Sequence, residues 1–164
     1  LQTGDKKILI AYFSKTGTTL EVAKLIAAAT NADLFEVKSL NSYPDEYKAT
    51  TDKAKQEQND NFRPELATKV DDMAQYDVIF LGYPIWWGTM PMAMFTFLEA
   101  YDFAGKTIVP FCTHGGSGLS RSMDDIKKLC PQAVVSEGLA IRSSGVKNAQ
   151  NDITAWLRKL GYVQ

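Results

Sequence analysis

The run ILIAYFSKTGTT, residues 8–19, decides the fold class. Its first half is continuously apolar and β-rich, which is typical of a strand buried on both faces of a parallel sheet. Its second half surrounds one lysine with small residues, namely Ser14, Thr16, Gly17, Thr18 and Thr19. A helical pattern of apolar residues follows at Val22, Leu25, Ile26 and Ala29. A buried strand therefore passes into a helix through a hydroxyl-rich loop, which we call the hydroxyl loop (residues 14–19).

The rest of the chain repeats this alternation of strand and helix. Apolar, β-rich runs follow at residues 33–37, 77–83, 107–112 and 134–141. Helical patterns lie between and after them: Pro91 is expected to open one helix, Pro131 closes another, and residues 153–160 form the last. The polar residues 46–58 predict an exposed helix, followed by a loop at 59–64. Such alternation predicts an α/β protein with right-handed crossovers.

Length and charge exclude several classes of protein. The chain has 164 residues, 45% apolar and 23% charged, with a net charge of -1. This predicts one globular domain over residues 1–164, with no nucleic-acid partner. No apolar run reaches the roughly 18 residues that a membrane span needs. We expect a cytoplasmic location, with a removed N-terminal leader left open as an alternative.

The two cysteines, Cys112 and Cys130, stand alone in the sequence. They form no CxxC pair and no spacing suited to a metal ion, and two are too few for a disulfide framework. We therefore expect buried free thiols, as in a reducing compartment.

Three loops should meet at one edge of the predicted sheet, because ligands of open parallel sheets bind beyond the carboxyl ends of the strands. They are the hydroxyl loop, the tryptophan loop YPIWWGTM (83–90) and the glycine loop THGGSG (113–118). Hydroxyl and backbone N–H groups at a helix N-terminus form an anion site that can hold a phosphate. The hydroxyl loop is neither a P-loop nor a GxGxxG motif. Simple helix capping remains the alternative, although a cap needs only one such residue.

The tryptophan loop offers aromatic faces. Trp86 and Trp87 are adjacent, and a large flat ligand is a good reason to display them. We expect one of the two indoles to pack into the core instead. Gly88 would let the backbone change conformation.

The glycine loop would let the backbone approach the edge of a ligand. It contains His114, the only histidine of the chain, with no cysteine or carboxylate beside it. This favours a loop residue or a contact to the ligand edge over a catalytic or metal role. Together, the three loops fit a phosphorylated, planar, heteroaromatic molecule.

In its order of strands and helices and in these three loops, the chain resembles a flavodoxin over nearly its whole length. The loops are similar to those of a bacterial, short-chain flavodoxin-like subgroup. The resemblance implies a three-layer fold, in which a five-stranded parallel sheet of order 2-1-3-4-5 carries helices on both faces and binds one FMN. It assigns the phosphate to the hydroxyl loop, at Ser14, Lys15, Thr16, Gly17, Thr18 and Thr19. It assigns the flavin ring to Pro84, Ile85, Trp86, Trp87, Gly88, Thr113, His114, Gly115, Gly116 and Ser117.

The function that the resemblance implies is low-potential electron transfer with no catalytic residue of the protein's own. A backbone carbonyl near Trp87 and Gly88 could accept a hydrogen bond from the reduced ring. The alternative is an FMN-dependent NAD(P)H reductase of quinones or similar small acceptors. A flavin-free signalling domain is disfavoured because no acid ends the third strand.

The charge pattern departs from that of typical flavodoxins, which are strongly acidic. Neither ring loop contains a carboxylate, although Glu99, Asp124 and Asp125 lie elsewhere as potential contributors to an acidic face. We expect either redox partner proteins, a reductase and an electron acceptor, or a small neutral acceptor. Electron transfer should then depend only weakly on ionic strength.

Overall fold

A six-stranded parallel sheet organises the computed structural model, which describes residues 7–40 and 46–163. The strands are β1 (Ile8–Tyr12), β2 (Asp33–Glu36), β3 (Val78–Pro84), β4 (Thr107–His114), β5 (Val134–Val135) and β6 (Leu139–Arg142). The helices are α1 (Thr18–Thr30), α2 (Tyr47–Asn59), α3 (Met92–Ala100), α4 (Ser122–Leu129) and α5 (Gln150–Leu160). Short 3-10 turns cover Met73–Gln75 and Ser143–Asn148. The rest of the predicted domain, residues 1–6, 41–45 and 164, lies outside the described residues.

The strand order β2-β1-β3-β4-β5 confirms the predicted topology. The predicted fifth strand, however, is split into β5 and β6, which both pair with β4 in parallel. Residues 136–138 separate the two pieces opposite Pro110, a residue that lacks the N–H needed for a sheet ladder. β4 also runs two residues further than predicted, so Thr113 and His114 belong to the strand end.

Two apolar layers flank the sheet because successive strand residues point to opposite faces. Leu9, Ala11, Ile79 and Leu81 pack with α3 and α4 on one side. Ile8, Ile10, Val78 and Phe80 pack with α1 and α5 on the other side. Residues 78–83 of β3 are all buried, which explains why their sequence is continuously apolar. The core thus holds the carboxyl ends of β1, β3 and β4 at one edge.

Both cysteines are free and buried, as expected. Burial raises the pKa of the Cys112 thiol to about 12 and that of Cys130 to about 11. Both are therefore protonated and poor nucleophiles near neutral pH. Within residues 7–40 and 46–163, no helix is long and apolar enough to cross a membrane.

Candidate functional site

A cleft of about 510 Å³ opens at the carboxyl edge of the sheet. Eleven of the predicted site residues line it: Lys15, Thr16, Thr18, Thr19, Pro84, Ile85, Trp86, Trp87, Thr113, His114 and Gly115. The others belong to the same loops without lining the cleft, namely Ser14, Gly17, Gly88, Gly116 and Ser117. The structure therefore brings all three loops to one cavity, as their places after parallel strands predicted.

The hydroxyl loop is shaped by Ser14. Its Oγ accepts hydrogen bonds from the N–H groups of Gly17 (3.1 Å) and Leu20 (3.2 Å). Gly17 has a φ of 92°, a left-handed conformation that glycine adopts without a steric penalty. Ser14 thereby closes the loop, and the first N–H groups of α1 have no acceptor within the helix. Two further hydroxyls of the loop, those of Thr16 and Thr18, lie 3.0 Å apart, and both residues line the cleft.

A buried pair of hydroxyls joins the first loop to the third. Thr19 Oγ1 and Thr113 Oγ1 hydrogen-bond at 2.9 Å, and both residues are at most 2% exposed. This bond links the first turn of α1 to the end of β4. Although both residues line the cleft, part of their hydrogen-bonding capacity is used to fix the two loops relative to each other.

The tryptophan loop contains a tight turn between Trp86 and Thr89, which form an isolated antiparallel bridge. Both central residues have positive φ, 53° at Trp87 and 86° at Gly88, the pattern of a type I′ turn. The turn packs on α4, since Gly88 O accepts from the Arg121 N–H at 3.1 Å and the Thr89 hydroxyl hydrogen-bonds the Asp125 carboxylate.

The two indoles of this loop have different environments. Trp86 is half-buried and meets the ring of Phe13 edge-on, with centroids 5.3 Å apart. Trp87 is 48% exposed, and its Nε1–H donates to Thr51 O of α2 at 2.9 Å. This confirms that one indole of the pair packs against the core, and it identifies that indole as Trp86.

The two backbone carbonyls expected to be able to bond a reduced ring, those of Trp87 and Gly88, each already accept one hydrogen bond within the protein. Trp87 O accepts a hydrogen bond from Gln58 Nε2 at 3.2 Å, and Gly88 O accepts one from the backbone N–H of Arg121. A bond from a ligand to either oxygen would require an exchange of partner or acceptance of a second donor.

Trp87 offers a test of backbone strain. We expect Trp87→Gly to be more stable than Trp87→Ala by about 1 kcal/mol, because both lose the indole but only glycine adopts positive φ without penalty. Urea unfolding of both variants measures the difference. A Trp87→Ala variant as stable as Trp87→Gly would contradict a left-handed backbone at this position.

His114 organises the glycine loop rather than standing free in it. Its Nδ1 accepts the N–H groups of Gly116 (3.0 Å) and Gly118 (3.1 Å), which requires the neutral ring with its proton on Nε2. Desolvation lowers the pKa of His114 below its usual 6.5, and the positive charge of Arg142 lowers it further. His114 therefore positions the loop and also lines the cleft.

The ring should titrate below pH 6.5. Because the folded pKa is depressed, the folded state binds fewer protons than the unfolded state; this contribution to stability is present above pH 6.5 and is lost as pH falls through the folded value. An NMR titration of the ring protons measures the pKa directly. Arg142→Gln should raise it part of the way back. A pKa at or above 6.5 in the wild type would contradict this arrangement.

Helix α2 lines the cleft, although its polar sequence predicted only an exposed helix. Its contributions are Tyr47, Thr50, Thr51 and Ala54, and Ser143 adds one more residue from outside the predicted loops. The four α2 residues follow the helical spacing i, i+3, i+4 and i+7. Thr50 and Ala54 are buried. The sequence feature that could have predicted this role for α2 is its stripe of small and hydroxyl residues on an otherwise charged helix.

Fold and cleft together define the class of protein. A 2-1-3-4-5 parallel sheet, with a hydroxyl-rich turn after its first strand and the ligand cleft at the carboxyl edge, is a flavodoxin-like α/β architecture.

Comparison with known proteins identifies the family to which this flavodoxin-like chain belongs. A sequence model described as Flavodoxin matches residues 7–160. The chain belongs to the flavodoxin family. A comparison with curated proteins finds no match.

Solved structures agree with this assignment. A chain of Bacteroides eggerthii DSM 20697, classed as a flavoprotein, is 36% identical, with a TM-score of 0.83 over 94% of this chain and 97% of that one. A flavoprotein of Lactobacillus acidophilus NCFM in complex with FMN is 26% identical, with a TM-score of 0.72 over 87% and 97%. Oxidised flavodoxin 2 from Bacillus cereus, at 23% identity and a TM-score of 0.56 over 93% and 99%, shows the shared fold.

Proposed function

We propose that this protein binds FMN in the cleft and acts as a low-potential electron-transfer protein. The observation that carries the proposal is the convergence of hydroxyl donors, indoles and a glycine-lined edge on one cavity. Its volume of about 510 Å³ lies within the range of small-molecule sites, roughly 300–1,000 Å³. The complex of the Lactobacillus acidophilus flavoprotein with FMN supports the choice of cofactor.

The residues present fit the two ends of such a molecule. Thr16 and Thr18 offer hydroxyl donors at the start of α1, where the helix dipole also favours a phosphate. Lys15 lines the same end of the cleft and supplies a positive charge. At the other end, the tryptophan loop presents Trp86 and Trp87 to a flat ring.

Bound FMN would supply reversible transfer of one or two electrons. The protein's part is to hold the ring and to set its surroundings. Pro84, Ile85 and Trp86 form an apolar wall, and such a wall disfavours added negative charge on the ring, which supports a low potential.

The visible spectrum of the purified protein tests the proposal. We expect a yellow protein with the absorbance maxima of oxidised flavin, and release of FMN on denaturation. A colourless protein that neither copurifies with FMN nor binds it when added would overturn the proposal.

The role as a carrier is tested against the alternative, a reductase of quinones. A carrier should accept electrons from a flavodoxin reductase and should not consume NADPH on its own. Turnover of NADPH with a quinone and no partner protein would instead establish the NAD(P)H reductase.

A further inference from the structure

Helix α2, which the structure describes in full over residues 47–59, lines the cleft but buries no large apolar side chain. Its buried residues are Thr50, Ala54 and Glu57, and its one aromatic residue, Tyr47, is 84% exposed. Buried apolar surface is what usually attaches a helix to a domain, and a helix of 13 residues is only marginally stable in water by itself. Segments with so little apolar burial are the ones that open locally.

Three contacts of α2 converge on one residue of the tryptophan loop. The indole Nε1–H of Trp87 donates to Thr51 O at 2.9 Å, and Gln58 Nε2 donates to Trp87 O at 3.2 Å. Between these two bonds, Lys55 Nζ lies 5.0 Å from the centroid of the Trp87 ring. Thr51, Lys55 and Gln58 follow the spacing i, i+4 and i+7, so they share one face of the helix. Trp87 thus contacts α2 along two turns, through its side chain and its backbone.

The turn that carries Trp87 is fixed to the body of the protein. Thr89 closes the turn, is 1% exposed and hydrogen-bonds the Asp125 carboxylate of α4. Gly88 O accepts from the backbone N–H of Arg121 at 3.1 Å. Trp87 therefore stands on a rigid support, against which α2 can be held or released.

The chain that follows α2 is attached separately, to α3. Arg63 Nε donates to Glu99 Oε1 at 2.7 Å, and the Arg63 guanidinium lies 5.2 Å from the centroid of the Phe95 ring. Asn61, between the end of α2 and Arg63, has a φ of 50°. If the contacts to Trp87 broke, the C-terminal end of α2 would remain tethered while the rest of the helix could move away from the cleft.

We propose that α2 is a gate of the cleft and that Trp87 is the positioning residue that holds this gate closed. The gate rests on the proposed function, because FMN is the molecule that would pass it, whereas the hold of Trp87 on α2 is measured without flavin. In the closed state, Thr50, Thr51 and Ala54 line the cleft. A ligand that contacts them binds the closed state better than the open one and shifts α2 toward closure.

Hydrogen exchange of the apoprotein tests the hold of Trp87 on α2. Amides of α2 should exchange at least about tenfold faster than those of α1, whose inner face is buried in the core. Trp87→Phe keeps an aromatic ring on the same backbone and removes the Nε1–H. We expect it to accelerate α2 exchange about fivefold, the factor that loss of one neutral hydrogen bond gives, and to leave α1 exchange unchanged.

Two further variants assign the effect. Gln58→Ala should accelerate α2 exchange about threefold by removing the bond to Trp87 O, although alanine is the better helix former. Trp156→Phe is the matched control, because the Trp156 Nε1–H also donates to a backbone carbonyl, Glu137 O at 3.1 Å, far from α2 in α5. It should leave α2 exchange unchanged. Unchanged α2 exchange in Trp87→Phe, or wild-type α2 exchange as slow as that of α1, overturns the proposal.

Stopped-flow binding of FMN tests the gate. Because entry and exit both pass through the open state, Trp87→Phe should raise the association and dissociation rate constants alike, each about fivefold, and leave the Kd within about twofold. If Trp87 only stacked on the ring, the phenyl face would keep both constants near their wild-type values. Saturation with FMN at about 100 times its Kd should slow α2 exchange at least about tenfold.

The outcomes separate this proposal from the proposed function. Faster α2 exchange in Trp87→Phe, in a protein that binds no FMN, would support the hold of Trp87 on α2 and overturn the flavin assignment. A yellow protein whose two FMN rate constants are unchanged in Trp87→Phe would keep the flavin assignment and overturn the gate.

Discussion

Gly82→Ala is expected to lower the free energy of unfolding by about 3 kcal/mol, because the added methyl group has no room. Gly82 lies in β3 between Tyr12 of β1 and Phe111 of β4. A Cβ there would be 2.2 Å from Phe111 Cζ and 2.4 Å from Cε2. Phe111 is fully buried between the sheet and α1 and α5, so its ring cannot move away without disturbing the core.

Thermal and urea unfolding measure this effect. For a chain of this length, about 3 kcal/mol corresponds to a fall in Tm of about 10 °C. Gly145→Ala is the matched control, since no atom lies within 4 Å of its Cβ position and its φ is not in the left-handed region. It should change stability by less than about 0.5 kcal/mol.

A second-site change separates the clash from other effects of the substitution. Gly82→Ala combined with Phe111→Leu should be more stable than Gly82→Ala alone, because the smaller side chain leaves space for the methyl group. A Gly82→Ala variant as stable as the wild type would contradict the contact between Gly82 and Phe111.

Removing the hydroxyl of Thr16 or Thr18 is expected to weaken FMN binding at least about tenfold while changing riboflavin binding less than about twofold. A hydrogen bond to a charged group is worth roughly 1.5–3 kcal/mol, and riboflavin has no phosphate to lose it. Because the two hydroxyls lie 3.0 Å apart and hydrogen-bond each other, the double variant should lose less than the sum of the single losses.

Fluorescence titration of the apoprotein with each flavin measures these affinities. Thr154→Ala, which removes a hydroxyl on α5 that accepts only a 3.4 Å bond from Gln150, should leave both affinities unchanged. Equal losses of FMN and riboflavin in Thr16→Ala and Thr18→Ala would rule out a phosphate at the hydroxyl loop.

Much of the fold could be predicted because the apolar residues of a segment indicate whether that segment is buried. Residues 8–13 and 77–83 are apolar at nearly every position, and β1 and β3 are indeed buried on both faces in the middle of the sheet. The break in the predicted fifth strand could not be predicted from the residues of that strand. It breaks opposite Pro110, which belongs to another strand and lies more than 20 residues earlier in the sequence.

The site, like the fold, could be predicted from the sequence only in part. The hydroxyl, tryptophan and glycine loops could be placed together because each follows a parallel strand, and the topology brings those strand ends to one edge. The roles of individual residues could not be read from the loops. Trp86 and Trp87 are neighbours in sequence, and only their contacts, with Phe13 for one and with Thr51 for the other, distinguish them.

The sequence by itself determined the order of strands and helices, the edge that carries the ligand loops and the absence of carboxylates from the two ring loops. The tertiary structure alone decided that α2 lines the cleft and that Trp86, not Trp87, packs against the core. The physical reason is that periodicity encodes which face of an element is buried, not which element will cover it. The contacts that bring α2 to the tryptophan loop join Thr51 to Trp87 and Gln58 to Trp87, across 36 and 29 residues of chain.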